Sequence, residues 1–154
     1  MRPADLPQGA RQGERDSLIE RKSRFTFLLA NEDKRSTAVI AGVADALRGL
    51  PEDARRTVTF DRGTEFAAYP ELDRHLALAS YFCDPHSPWQ KGGVENLNGR
   101  ARRFLPRHGE PEALARAHLR RLADRLNDTL RRCLGYRTPR EVFQEHLAAP
   151  AGPP

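Results

Sequence analysis

Thr57-Val58-Thr59-Phe60-Asp61-Arg62-Gly63-Thr64-Glu65-Phe66 decides how the rest of the chain is read. Its first four residues are β-branched or aromatic, which suits a short strand, and Gly63 marks the turn that ends it. Asp61 therefore stands at the strand's carboxyl end, where open α/β sheets gather their ligands. A plain turn would use the same residues, because an Asp side chain readily accepts the N–H two positions on. Farther along, Asp84-Pro85-His86-Ser87-Pro88-Trp89-Gln90-Lys91-Gly92-Gly93 is too rich in proline and glycine for regular structure. Glu95 then opens a helical stretch, where an acid also complements the helix dipole. Asn96, Asn98 and Gly99 follow it, although Asn and Gly weaken a helix. That stretch answers to some demand other than helix stability.

On either side, strands alternate with helices. Residues 17–30 read as a hairpin whose tip is Glu20-Arg21-Lys22-Ser23. Residues 36–50 place Val39, Ile40, Val43, Ala44 and Leu47 at helical spacing, and Pro51 stops them. A short helix is expected over 71–78, a strand over 79–83 and a helix over 94–104, which Pro106 ends. A further helix should run from Pro111 to about Leu130, with Leu114, His118, Leu119, Leu122 and Leu126 as its core stripe. Thr138-Pro139-Arg140-Glu141 has the form of a capped helix start, opening a last helix to Leu147. The alternation gives an α/β or α+β class built round a small mixed sheet.

The 154 residues suit one compact domain. Lys and Arg number 26 against 21 Asp and Glu, a net +5 that favours a polyanionic partner without identifying one. Cys83 and Cys133 lie far apart, with neither zinc-ligand spacing nor a disulfide framework, and read as reduced, buried small hydrophobes. No apolar run approaches the length of a membrane span and the polar start is no signal peptide, so a cytoplasmic protein is the default expectation.

Asp61 and Glu95 are separated by 33 residues. Two-metal phosphoryl-transfer sites need carboxylates from different elements converging on ions about 3.5–4 Å apart. Such hard oxygen ligands suit Mg²⁺ or Mn²⁺. Asp61-Arg62-Gly63-Thr64-Glu65-Phe66, the run from Tyr81 to Gly92, and Glu95-Asn96-Leu97-Asn98-Gly99 together resemble the signature of bacterial DDE transposases, most closely the insertion-sequence thirty family. The Glu20-Arg21-Lys22-Ser23-Arg24-Phe25 tip and the stretch from Leu134 to Phe143 resemble it too.

The resemblance implies a ribonuclease-H-like integrase core: a mixed five-stranded sheet flanked by helices. Residues 17–147 would form that core with its C-terminal helices. Residues 1–16 would be poorly structured or a remnant first strand, and residues 148–154 a disordered tail. The family's helix-turn-helix region is not found ahead of this core, so the chain reads as N-terminally truncated. The implied catalytic acids and metal ligands are Asp61 and Glu95, with Asp5 as the candidate for the first acid, fifteen residues ahead of Glu20. Mg²⁺ or Mn²⁺ is the implied cofactor. DNA is the implied partner, both element ends and target, in a nucleoid-associated bacterial protein that a homo-oligomer would also suit.

His86, Trp89, Lys91, Asn98, Arg100 and Arg103 are the candidate DNA contacts, each against a plainer alternative. His86 suits ordinary loop hydrogen bonding equally well. Trp89 suits a half-buried loop anchor better than a stacking platform, and arginines on a helix usually form a solvated face. The implied function is metal-dependent cleavage and strand transfer of an insertion sequence. Two other classes stay open: a catalytically inactive, truncated remnant acting as a DNA-binding or assembly module, and a nuclease that hydrolyses DNA without joining it.

Overall fold

The computed structural model describes residues 14–31, 35–105 and 115–149. Its elements in chain order are β1 (Glu14–Ile19), β2 (Thr26–Asn31), α1 (Ser36–Arg48), β3 (Thr57–Phe60), α2 (Tyr69–Leu76), β4 (Ala79–Phe82), α3 (Gly92–Ala101), α4 (Arg116–Asn127) and α5 (Pro139–Ala148). Short 3₁₀ turns precede α2 and α3.

The hairpin β1–β2 is the middle layer. Its antiparallel register opposes Ser17 to Leu28 and Asp16 to Leu29. Alternation along a strand sends successive side chains to opposite faces. Ile19, Leu28 and Ala30 accordingly pack on one side with Leu97, Ala101, Leu119, Leu122 and Leu126 of α3 and α4. Leu18 and Leu29 turn to the other side, against Ile40, Val43, Ala44 and Leu47 of α1 and Leu72 and Leu76 of α2. Val58 and Phe60 of β3 join that second cluster, so α1 bridges the hairpin and the parallel pair β3–β4. Each buried Leu, Val or Ile contributes about 1.5–3 kcal/mol by leaving water.

The expected helices and strands are present, with shifted ends. The first strand starts at Glu14, so residues 14–16 belong to the folded unit and not to a poorly structured leader. One of its polar residues finds a partner across the sheet: the buried Asn31 donates to Asp16. Helix α2 begins two residues early, where Pro70 suits a first helical turn, and ends at Ala77 in the left-handed region (φ 50°). Gly92 and Gly93, expected in a loop, are the opening residues of α3, which continues directly from the 3₁₀ turn Pro88–Lys91. Helix α5 starts on the expected capping box of Thr138 and Glu141. It extends through Ala148, one residue into the expected tail. Cys83 is buried as expected, but Cys133 is exposed, in a 3₁₀ turn after α4.

Five strands in one mixed sheet do not occur among the described residues, which carry one antiparallel and one parallel two-stranded ladder. Asp5, and with it the expected first strand, lies outside the described residues, as do Pro111 and Leu114.

Candidate active site

Asp61 leaves the carboxyl end of β3, and the Asp84 loop leaves the same end of the parallel neighbour β4. The two exits are stitched together: the Cys83 N–H donates to Phe60 O at 2.9 Å and Arg62 Nε to Cys83 O at 3.1 Å. Asp61 uses its two oxygens differently. Oδ1 accepts the Gly63 N–H at 3.0 Å, which is the turn role. Oδ2 faces the Lys91 ammonium at 3.3 Å, and both side chains are 40% exposed. Turn formation and an outward-facing oxygen therefore coexist in one side chain.

The loop after β4 is closed by a two-way amide clasp. The Asp84 N–H donates to Gln90 Oε1 at 2.8 Å, and Gln90 Nε2 donates to Asp84 Oδ2 at 2.9 Å. His86 adopts a left-handed backbone conformation (φ 59°) within it. The clasp delivers Lys91 to the start of α3, and Glu95 to its first turn. Arg62, Cys83, Asp84, His86, Lys91 and Glu95 help to line a cleft of about 280 Å³. Glu95 is exposed, and no hydrogen bond or ion pair engages it among the described residues.

Lys91 thus links the two acids that the sequence singles out: it pairs with Asp61 and shares the cleft with Glu95. Carboxylate oxygens are the donor type that Mg²⁺ and Mn²⁺ take, and the ammonium already at Asp61 Oδ2 marks that oxygen as a cation position. A complete ligand set is not formed by the described residues, since no three His, Cys, Asp or Glu side chains converge among them.

The other candidates separate by surroundings. Trp89 projects at 75% exposure and anchors nothing. Arg103 is exposed just past α3, while Arg100 Nε donates to Asn96 Oδ1 at 3.1 Å. Asn98 is half-buried and accepts from Ser17 Oγ at 2.6 Å, so β1 grips the helix that carries Glu95. Close by, burial and then the charge of Arg102 push the Arg15 guanidinium below its ordinary range, and its buried Nη1 has no hydrogen-bond partner among the described residues.

Two buried polar residues hold this frame: Asn127, which sequence reading passed over, and Arg131, which it grouped with the exposed arginines. Asn127, at the end of α4, donates through Nδ2 to Thr26 O and accepts the Thr26 N–H at Oδ1, both at 2.9 Å. Arg131 is buried and donates to Leu126 O at 3.0 Å. An Asn on the last turn after an apolar stripe was the one available signal for the first; nothing local marks the second.

Similarity to known proteins agrees with this architecture. Among solved structures, the catalytic core domain of BIV integrase superposes with a TM-score of 0.61 at 19% identity, over 90% of this chain and 96% of that one. A chain of the simian T-cell lymphotropic virus intasome in complex with PP2A regulatory subunit B56 gamma gives 0.68 at 18% identity, over 93% and 55%. The fold is therefore the ribonuclease-H-like one of integrase catalytic cores.

In sequence, the chain is homologous to transposases of the insertion-sequence thirty family and related elements. It is 37% identical over 147 residues to the transposase of IS1086 from Cupriavidus metallidurans, covering 95% of this chain and 43% of the relative. It is 35% identical over 144 residues to the InsI transposase of IS30C from Escherichia coli, covering 94% and 38%. The chain thus spans less than half the length of these relatives. No protein-family model matches it. Among the described residues, no helix is long and apolar enough to cross a membrane.

Proposed function

We propose that this chain is the catalytic core of a DNA transposase, cleaving DNA strands and joining them with Mg²⁺ or Mn²⁺. The observation that carries the reading is that Lys91, paired with Asp61 at the end of β3, lines one cleft with Glu95 of α3. Asp61 and Glu95 are the ligands in this reading, and Asp5 completes the set from outside the described residues. A bound ion would supply Lewis-acid activation of the attacking oxygen and neutralise charge at the phosphate.

The chain's own residues do the rest. Asp61 is oriented by the Gly63 N–H, which leaves Oδ2 turned outward. Glu95 is fixed in height and angle by α3, and α3 by β1. Arg62 and Lys91 line the cleft beside Asp84 and Glu95 and are the cations it can offer a phosphodiester. His86, Trp89, Asn98, Arg100 and Arg103 are proposed as further DNA contacts on the same side of the reading, and a homo-oligomer as the working state.

The test is cleavage and joining of pre-nicked duplex DNA by the full chain, with Mg²⁺, with Mn²⁺ and with chelator. Metal-dependent products that disappear in Asp61→Asn and Glu95→Gln are expected. Products that survive both substitutions, or no products from any protein, would overturn the reading.

A further inference from the structure

Lys91 raises a question that the catalytic reading leaves open. Its ammonium occupies the one Asp61 oxygen that the turn does not use. A lysine bound there satisfies the carboxylate, yet it excludes a second cation from the same oxygen. It also keeps a basic side chain of the cleft away from any DNA phosphate.

We propose that Lys91 is a displaceable counter-ion: it holds Asp61 in the metal-free chain and is released to a DNA phosphate when a divalent cation takes Asp61. The inference rests on the proposed metal site and adds a regulation to it. Three observations favour exchange over a permanent ion pair. The pair is single and 3.3 Å long, with no bidentate geometry to hold it. Both partners are 40% exposed, so water screens their attraction and the pair is weak. And Lys91 sits at the junction of the 3₁₀ turn and α3, lining the cleft together with Arg62 and Glu95, so its side chain serves the cleft as well as Asp61. A doubly charged ion out-competes an ammonium for carboxylate oxygens because it accepts several of them at once. Once freed, a lysine is a flexible point charge well suited to phosphate.

The consequence is an ordered site. Without the cation, Asp61 is neutralised and the cleft is short of one phosphate contact. With it, the charge of Lys91 becomes available where the scissile strand must lie. Metal and DNA then favour each other's binding through one side chain.

Mn²⁺ binding to the full chain, read by the loss of free Mn²⁺ signal in electron paramagnetic resonance, tests the first half. Lys91→Gln should bind Mn²⁺ several-fold more tightly than the wild type. Arg62→Gln removes the same charge from the same cleft but no bond to the Asp61 carboxylate, and should gain less. In an Asp61→Asn background the Lys91→Gln gain should vanish. Equal or weaker Mn²⁺ binding by Lys91→Gln, or the same gain in Arg62→Gln, overturns the exchange while leaving the metal site standing. No Mn²⁺ binding by any of the proteins overturns the metal site itself and the exchange with it. Fluorescent duplex DNA tests the second half: Lys91→Gln should weaken binding several-fold with Mn²⁺ present and little without it. An equal loss under both conditions overturns the release to phosphate.

Discussion

Ser17 Oγ donates to Asn98 Oδ1 at 2.6 Å, so a residue of the first strand holds the helix that carries Glu95 across 81 positions of sequence. Asn98 is one turn beyond Glu95, so a tilt of α3 at Asn98 moves the carboxylate as well. Ser17→Ala removes one partly buried hydrogen bond, expected to cost about 1 kcal/mol. Urea unfolding should record that loss with an unchanged slope. Metal affinity should fall with it, and Ser17→Thr, which keeps a hydroxyl, should recover both. Unchanged stability in Ser17→Ala would show that the pair is incidental.

Asn127 has more at stake, because it serves both backbone groups of Thr26 in a fully buried setting. Asn127→Ala would leave a buried N–H and a buried carbonyl without partners, at about 1–3 kcal/mol each. For a chain of this size that is a fall in Tm of roughly 5–15 °C. Asn127→Asp should be no milder, since it replaces the donor to Thr26 O with a buried charge. Differential scanning calorimetry on both variants checks the expectation.

The hairpin tip should weaken in acid. Burial pulls the Glu20 carboxyl upward, but donation from the Ser23 hydroxyl and from the Lys22 and Ser23 N–H groups outweighs it and holds the group below its ordinary value of 4.5. A carboxyl lowered by folding stabilises the fold above the ordinary value, and that stability is lost as pH falls through the lowered one. Stability measured between pH 6 and pH 3 should therefore drop more steeply in the wild type than in Glu20→Gln. Parallel curves would remove Glu20 from the acid response.

DNA binding should be weak and steeply salt-dependent. Arg116, Arg120, Arg121 and Arg125 are exposed along α4, and phosphate contacts release counter-ions in proportion to their number. Binding measured from low to moderate salt should lose affinity at every step, with a log–log slope of about −0.9 per phosphate engaged. Tight, sequence-selective binding that persists in high salt would contradict a charge-dominated surface.

The helices and strands were legible in the chain because their signals are local. Val39 to Leu47 keep a helical period, Thr57 to Phe60 are β-prone, and Thr138 with Glu141 spells its own cap. Asp61 and Glu95 were legible as a pair only through the motifs around them, since neither acid distinguishes itself from a turn residue or a helix-end residue alone. The start of β1 was hidden because Arg15 and Asp16 look like a solvated leader; Asp16 finds its partner in Asn31, which is remote in sequence. The same holds for Ser17 with Asn98 and Thr26 with Asn127. Such partners are chosen by packing, and no short window of sequence contains both halves. Lys91 was read as a phosphate contact, and its pairing with Asp61 followed only once β3 and the start of α3 were seen side by side.

Trp89 is the chain's sole tryptophan, and it projects at 75% exposure from the 3₁₀ turn within the loop that Asp84 and Gln90 clasp. The protein therefore carries its own optical reporter in the loop that leads to the helix of Glu95. Its emission should be that of a solvated indole, open to quenching by acrylamide and free of interference from any other indole. DNA lying against that loop would shield the ring, so its binding there can be followed in the unlabelled wild-type chain. Because the ring packs against little of the core, the signal would report on the site and hardly at all on unfolding elsewhere.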